Sequence, residues 1–115
     1  MYNMEYLNRI MEADKKSKVI MDEFDQIKSL SYKNMQNTTT FDEFNVDKGF
    51  MLQSKLQDLQ TMIEYYERAY RNVDTMSPEQ FTEISDYFQL ENVKEELNRR
   101  INSLKSFIQT HHYQL

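Results

Sequence analysis

Histidine side chains are the groups in this chain best suited to bind a metal ion or to transfer a proton. The two histidines, His111 and His112, are neighbours in the sequence. Neighbouring side chains on a helix point about 100° apart, so these two do not converge on one metal ion. The chain also lacks the Glu-x-x-His and His-x-x-x-His spacings of metal-binding helices. We therefore predict that both histidines lie on a frayed helix end, and that removal of residues 110–115 leaves stability nearly unchanged.

Carboxylates cluster in two places. Asp22, Glu23 and Asp25 surround Phe24, and the apolar pattern places Phe24 toward the core, so we expect the carboxylates to face solvent. Residues 42–49 lack both the Asp-x-Asp-x-Asp-Gly spacing of a calcium loop and its Glu at the twelfth position. Neither cluster predicts a metal site, and we expect no catalytic residue, no metal and no cofactor.

The composition excludes further chemistry. With no Cys and a single Gly, the chain has no thiolate nucleophile, no disulfide and no glycine-rich phosphate loop. Its net charge of −5 disfavours nucleic acid and anionic membranes, because both attract positively charged surfaces. The longest uncharged stretch, residues 106–115, is too short and too polar to span a bilayer, and residues 1–12 lack the order of a secretion signal. We expect a cytoplasmic protein that is not an enzyme.

Tyrosine and methionine side chains are the better candidates for function. When they lie beside a core stripe rather than on it, they are typical of protein interfaces. Tyr65 lies beside the apolar seam of the central segment, and further aromatic and Met residues crowd the two ends of that segment. We predict partner contacts at Tyr65, Met62, Phe44, Phe50, Met51 and Met76. The alternative is a wide bundle core that buries these side chains.

The elements that must position these side chains are helices. Apolar residues recur with steps of three and four along three segments, at about 2–36, 41–73 and 78–111, as in helices that pack side by side. The clearest series is Leu52, Leu56, Leu59, Ile63, Tyr66, Tyr70 and Val73. On the first segment, the i,i+4 spacing of Asp14 and Lys18 predicts an ion pair on the surface.

Capping boxes mark where the later helices start. Thr40 with Glu43 predicts the start of the second helix, and the Ser77-Pro78 pair with Gln80 predicts the start of the third. Gly49 predicts either a kink or a delayed start of the second helix, near Lys48.

A further capping box at Asn92 and Glu95 leaves two forms of the third segment open. It is either one bent helix, which we favour, or a short helix (78–88) followed by a longer one (92–111). We thus predict an all-α fold in a single domain, 1–115. The expected architecture is a small antiparallel three-helix bundle, which becomes a four-helix arrangement if the third segment splits.

Two short motifs carry a resemblance. Tyr70-x-x-x-Asp74 and Tyr87-x-x-x-Glu91 resemble the export signal of small helical proteins that type VII systems secrete. The Trp-x-Gly turn of those families is absent, since the chain has no Trp. The resemblance implies a secreted helical-hairpin protein or a secretion chaperone.

The function expected from these residues is stoichiometric binding of a protein partner, as an adaptor, a regulator or an inhibitor. Coiled-coil seams with surplus Tyr and Met side chains suit recognition between helices. A homodimer is a second expectation, because a thin bundle often leaves apolar surface uncovered. The alternatives are a phage- or mobile-element-encoded inhibitor of a host enzyme or nuclease complex, and the secreted protein that the resemblance implies.

Overall fold

The computed structural model describes residues 5–34 and 40–112. Over these ranges the chain forms four α-helices and one short 3₁₀ helix, and it contains no β-strand. The helices are α1 (Glu5–Lys28), α2 (Phe41–Asn72), α3 (Pro78–Phe88) and α4 (Val93–His112), with the 3₁₀ helix at Tyr32–Asn34. The all-α prediction is confirmed.

The long helix α2 packs against both α1 and α4. It runs antiparallel to α1, because Lys55 pairs with Glu23 late in α1 whereas the later Tyr66 bonds to the earlier Asp14. It also runs antiparallel to α4, because Lys94 at the start of α4 pairs with Asp74 just after α2. The short α3 packs against α1 and α4. Since the long helices lie side by side, the bundle is elongated, with extents of 58 × 26 × 20 Å.

The predicted seam of α2 forms the centre of the core. Leu59 and Ile63 are fully enclosed, and of the seven seam residues only Tyr70 is exposed. Ile10 from α1 and Leu97 from α4 complete the enclosed cluster. Burial of each such side chain contributes about 1.5–3 kcal/mol, which is why these helices are stable together although each alone has a polar surface.

The third segment is two helices, so the favoured single bent helix is wrong. Gln89, which follows α3, adopts the left-handed conformation with φ 58° and ψ 31°. The amide of Leu90 then donates to the Ser85 carbonyl and closes the end of α3. Asn92 Oδ1 accepts from the Glu95 amide at the start of α4. Glycine usually forms such a left-handed cap, and a Gln in its place gives no break signal in the sequence.

Helix α1 ends at Lys28 rather than near residue 36. The amide of Leu30 turns back to the Ile27 carbonyl, and the Lys48 ammonium of α2 donates to the Leu30 carbonyl over 3.0 Å. Lys48 lies 18 positions from Leu30, so the local sequence does not predict this bond. Residues 2–4, 35 and 36 of the predicted helix lie outside the described residues.

Both capping boxes that were predicted to start helices are present. The Glu43 amide donates to Thr40 Oγ1 over 3.1 Å, and the Gln80 amide donates to Ser77 Oγ over 3.2 Å. Helix α2 starts at Phe41 and continues through Gly49, so the delayed start does not occur.

The end of α4 is packed rather than frayed. The His111 ring lies 4.8 Å from the Phe24 ring and 4.2 Å from the Phe107 ring, measured between centroids. The prediction that the histidines are undocked is therefore wrong for His111, because its ring completes an aromatic cluster with α1. Residues 113–115 lie outside the described residues.

We expect Gln89→Gly to raise the free energy of unfolding by about 1 kcal/mol, because Gly adopts the left-handed conformation without the clash of a β-carbon. Urea unfolding followed by circular dichroism measures the change. Gln89→Ala keeps the β-carbon and is the matched control, with an expected change below about 0.5 kcal/mol. Equal effects of the two substitutions would contradict the assignment of strain to this residue.

Candidate functional site

A long open groove with a volume of about 850 Å³ runs between α1 and α2, and both walls come from these two helices alone. We call it the α1–α2 groove. Its apolar lining consists of Met11, Val19, Ile20, Met62 and Tyr65. Ile20 and Met62 are buried and form the floor, whereas Met11 and Val19 are 45% and 50% exposed on the α1 wall. The groove therefore leaves an apolar surface that α3 and α4 do not cover.

Charged side chains line the rest of the groove: Glu12, Lys15, Lys16 and Glu23 from α1, and Lys55 and Asp58 from α2. The Lys55–Glu23 ion pair, at 2.8 Å, joins the two walls near one end. Glu12 accepts hydrogen bonds from Lys16 and Arg9, which hold the pKa of its carboxyl below the ordinary value.

The structure brings two of the predicted partner contacts into the groove. Met62 belongs to the floor, where it is 5% exposed. Tyr65 is half-buried on the α2 wall, and the Arg9 guanidinium lies 5.1 Å from the centre of its ring.

The other four predicted contacts lie outside the groove. Phe44 is buried, and its ring lies 5.8 Å from that of Tyr32. Phe50 and Met51 are exposed in the first third of α2, and Met76 packs against the core after α2 ends. These four side chains do not form one surface with Tyr65.

Sequence reasoning missed the α1 wall of the groove. Met11, Lys15 and Val19 follow one another at steps of four, so they share one face of a helix. On that face the two apolar residues, Met11 and Val19, are exposed rather than packed in the core. This spacing was the available signal for an apolar surface outside the core.

On its other flank, α1 is fixed by a polar cluster that involves all four helices. The Asp14 carboxylate accepts hydrogen bonds from Tyr66 of α2 (2.5 Å), Tyr87 of α3 (2.7 Å) and Arg100 of α4 (2.9 and 3.2 Å). We call these four residues the Asp14 junction. The predicted surface pair of Asp14 with Lys18 is replaced by these bonds, and Arg100 also pairs with Glu96.

The electrostatics of the Asp14 junction favour an ionised carboxylate and protonated phenols. Burial alone raises the pKa of Asp14, but hydrogen bonds from Arg100, Tyr66 and Tyr87, with the charge on Arg100, lower it below the ordinary 3.8. Burial and the Asp14 carboxylate raise the pKa of Tyr66, and they raise the pKa of Tyr87 to about 12. Both hydroxyls therefore remain donors across the physiological range.

Within the described residues, no three His, Cys, Asp or Glu side chains come together as a metal site would require. Asp22 and Asp25 are exposed, as predicted, while Glu23 turns to Lys55. None of the described helices has the length and apolar character of a membrane span.

Comparison of the chain with known protein families, with curated proteins and with solved structures finds no match. The α1–α2 groove and the Asp14 junction are therefore interpreted from their own geometry.

We expect Asp14→Asn to lower the free energy of unfolding by about 2 kcal/mol at neutral pH, because it leaves half-buried Arg100 without this charge partner. The cost lies below that of a fully buried pair, since the Asp14 side chain keeps 21% exposure. The folded-state pKa of Asp14 is depressed. The ionised Asp14 carboxylate therefore stabilises the folded protein fully above its unfolded-state pKa, and this stabilisation is lost as the pH falls through its folded-state pKa.

Urea unfolding of both proteins from neutral pH to below pH 3.8 measures this difference. The difference in free energy of unfolding between wild type and Asp14→Asn should become smaller at the lowest pH values. Glu12→Gln is the control on the same helix: its ion pairs are exposed, so its stability should stay nearly unchanged. A difference that does not vary with pH would contradict the role given to the Asp14 carboxylate.

Proposed function

We propose that this chain is a non-enzymatic protein-interaction module that binds a protein partner stoichiometrically through the α1–α2 groove, as an adaptor, a regulator or an inhibitor. One observation carries the proposal: Met11 and Val19 stand exposed above the apolar floor made by Ile20 and Met62. Single exposed apolar residues are normal on any surface, but several that line one groove are typical of a binding site.

The shape of the groove suits a helical segment of the partner. Its α1 wall extends from Met11 to Glu23, which corresponds to about 18 Å or three turns. Two antiparallel helices can take a third along the groove between them. On the inner side of the α1–α2 pair, α4 already packs in this way. Its Arg100 is bonded to Asp14, and its Phe107 packs on Phe24.

The groove is held in shape before any partner binds. The Lys55–Glu23 pair ties the walls together at one end, and the contact of Arg9 with the Tyr65 ring ties them at the other. An ordered surface loses less conformational entropy on association than a flexible one. Tyr and Met side chains such as Tyr65 and Met62 are also enriched at the centres of interfaces.

We expect Val19→Glu to weaken capture of the partner by about tenfold or more, because it places a charge on the apolar wall of the groove. Tagged wild type and variant are used to capture proteins from the native cells, with mass spectrometry as the readout and circular dichroism as the check on folding.

Val46→Glu is the matched control, because Val46 is 54% exposed, close to the 50% of Val19, and lies on α2 outside the groove. It should retain the partner. Equal capture by all three proteins would reject the groove as the binding surface. If wild type captures no stoichiometric protein, the interaction module itself is rejected.

A further inference from the structure

The two rims of the α1–α2 groove carry opposite charges that have no partner within the described residues. Inside the groove, Glu12 is bonded to Lys16, and Glu23 is bonded to Lys55. Lys15 on the α1 rim makes no ion pair or hydrogen bond in that part of the chain, and neither does Asp58 on the α2 rim. Among the described residues that line the groove, Lys15 is therefore the cation and Asp58 the anion left for a ligand.

The register of the two helices separates these charges along the groove. Asp14 lies opposite Tyr66, and Glu23 lies opposite Lys55. Lys15 is thus near the Tyr66 level, while Asp58 is about one turn from Lys55. Along α2, the position opposite Lys15 and the position of Asp58 are therefore separated by roughly six residues, or ~9 Å along the helix axis.

From this placement we infer the chemistry of the occupant, an inference that rests on the proposed function. The occupant is an amphipathic helix of a partner protein with an apolar stripe for the floor, a carboxylate on the flank that meets Lys15, and a cation on the flank that meets Asp58. Rim charges contribute little affinity in water, but they select between ligands because like charges are repelled.

The inference is tested with three synthetic helical peptides of about 18 residues. They share one apolar stripe and differ only in their flanks: Glu on one and Lys on the other, Lys on both, or Glu on both. Fluorescence anisotropy gives each Kd, and methyl NMR of Met11 and Met62 reports whether the peptide lies in the groove.

We expect wild type to prefer the mixed peptide by about fivefold over either uniform peptide, with less preference at high salt. Lys15→Glu makes both rims acidic and should shift the preference to the Lys peptide. Asp58→Lys makes both rims basic and should shift it to the Glu peptide. These changes lie on the surface, so the fold is retained.

Lys33→Glu is the matched control, since it changes the net charge as Lys15→Glu does but lies on the 3₁₀ helix outside the groove. It should keep the preference for the mixed peptide. A shift toward the Lys peptide as large as that of Lys15→Glu would assign the effect to net charge and overturn the inference.

The remaining outcomes separate the inference from the proposed function. If all three peptides bind with one Kd while the Met11 and Met62 methyl signals move, the rim charges do not select the ligand, and the groove remains the binding surface. If no peptide moves these signals, both proposals fail. Sedimentation of the free protein tests the other occupant: a dimer that Val19→Glu dissociates would show that a second copy fills the groove, which also overturns the inference.

Discussion

The fold depends on one carboxylate that is largely withdrawn from water. A buried charge is tolerated only where hydrogen bonds and an opposite charge replace its hydration. Asp14 obtains these from Tyr66, Tyr87 and Arg100, which lie on the three other helices. A shift of any of these helices would leave a donor or the carboxylate unsatisfied. The Asp14 junction therefore specifies one arrangement of the bundle.

The placement of α3 and α4 explains why one flank of the bundle stays open. Tyr87 and Arg100 of the Asp14 junction hold α3 and α4 on one side of α1. Helix α2 packs against both α1 and α4 beside them. No described helix remains for the opposite flank of the α1–α2 pair. Because Met11 and Val19 point to that flank, they remain exposed although they are apolar. The exposed groove thus follows from the arrangement that satisfies Asp14.

Local signals in the sequence were sufficient for much of the fold. Thr40 and Ser77 mark helix starts because their capping bonds involve residues three positions away. Gln89 and Lys48 lie beyond such reasoning. Gln89 adopts a conformation usually left to Gly, and Lys48 bonds from a distant element to the Leu30 carbonyl just after α1. The inward orientation of Asp14 and the openness of the groove depend on how whole helices pack. The sequence prediction therefore included residues of the α2 side of the groove, Met62 and Tyr65, but none of its α1 side.

Two neighbouring residues connect the core of the bundle to the candidate site. Asp14 and Lys15 are consecutive on α1, so their side chains point about 100° apart. The bonds to Asp14 fix the rotation of α1 about its axis, and this rotation fixes where Lys15 stands on the rim of the groove. Asp58 is positioned in the same way. Tyr66 lies two turns after Asp58 on α2, and its bond to Asp14 fixes the rotation of α2 and its position along α1. The internal junction therefore determines where Lys15 and Asp58 stand along the groove. In the binding proposed above, the polar junction would thereby contribute to specificity, even where an apolar core would give equal stability.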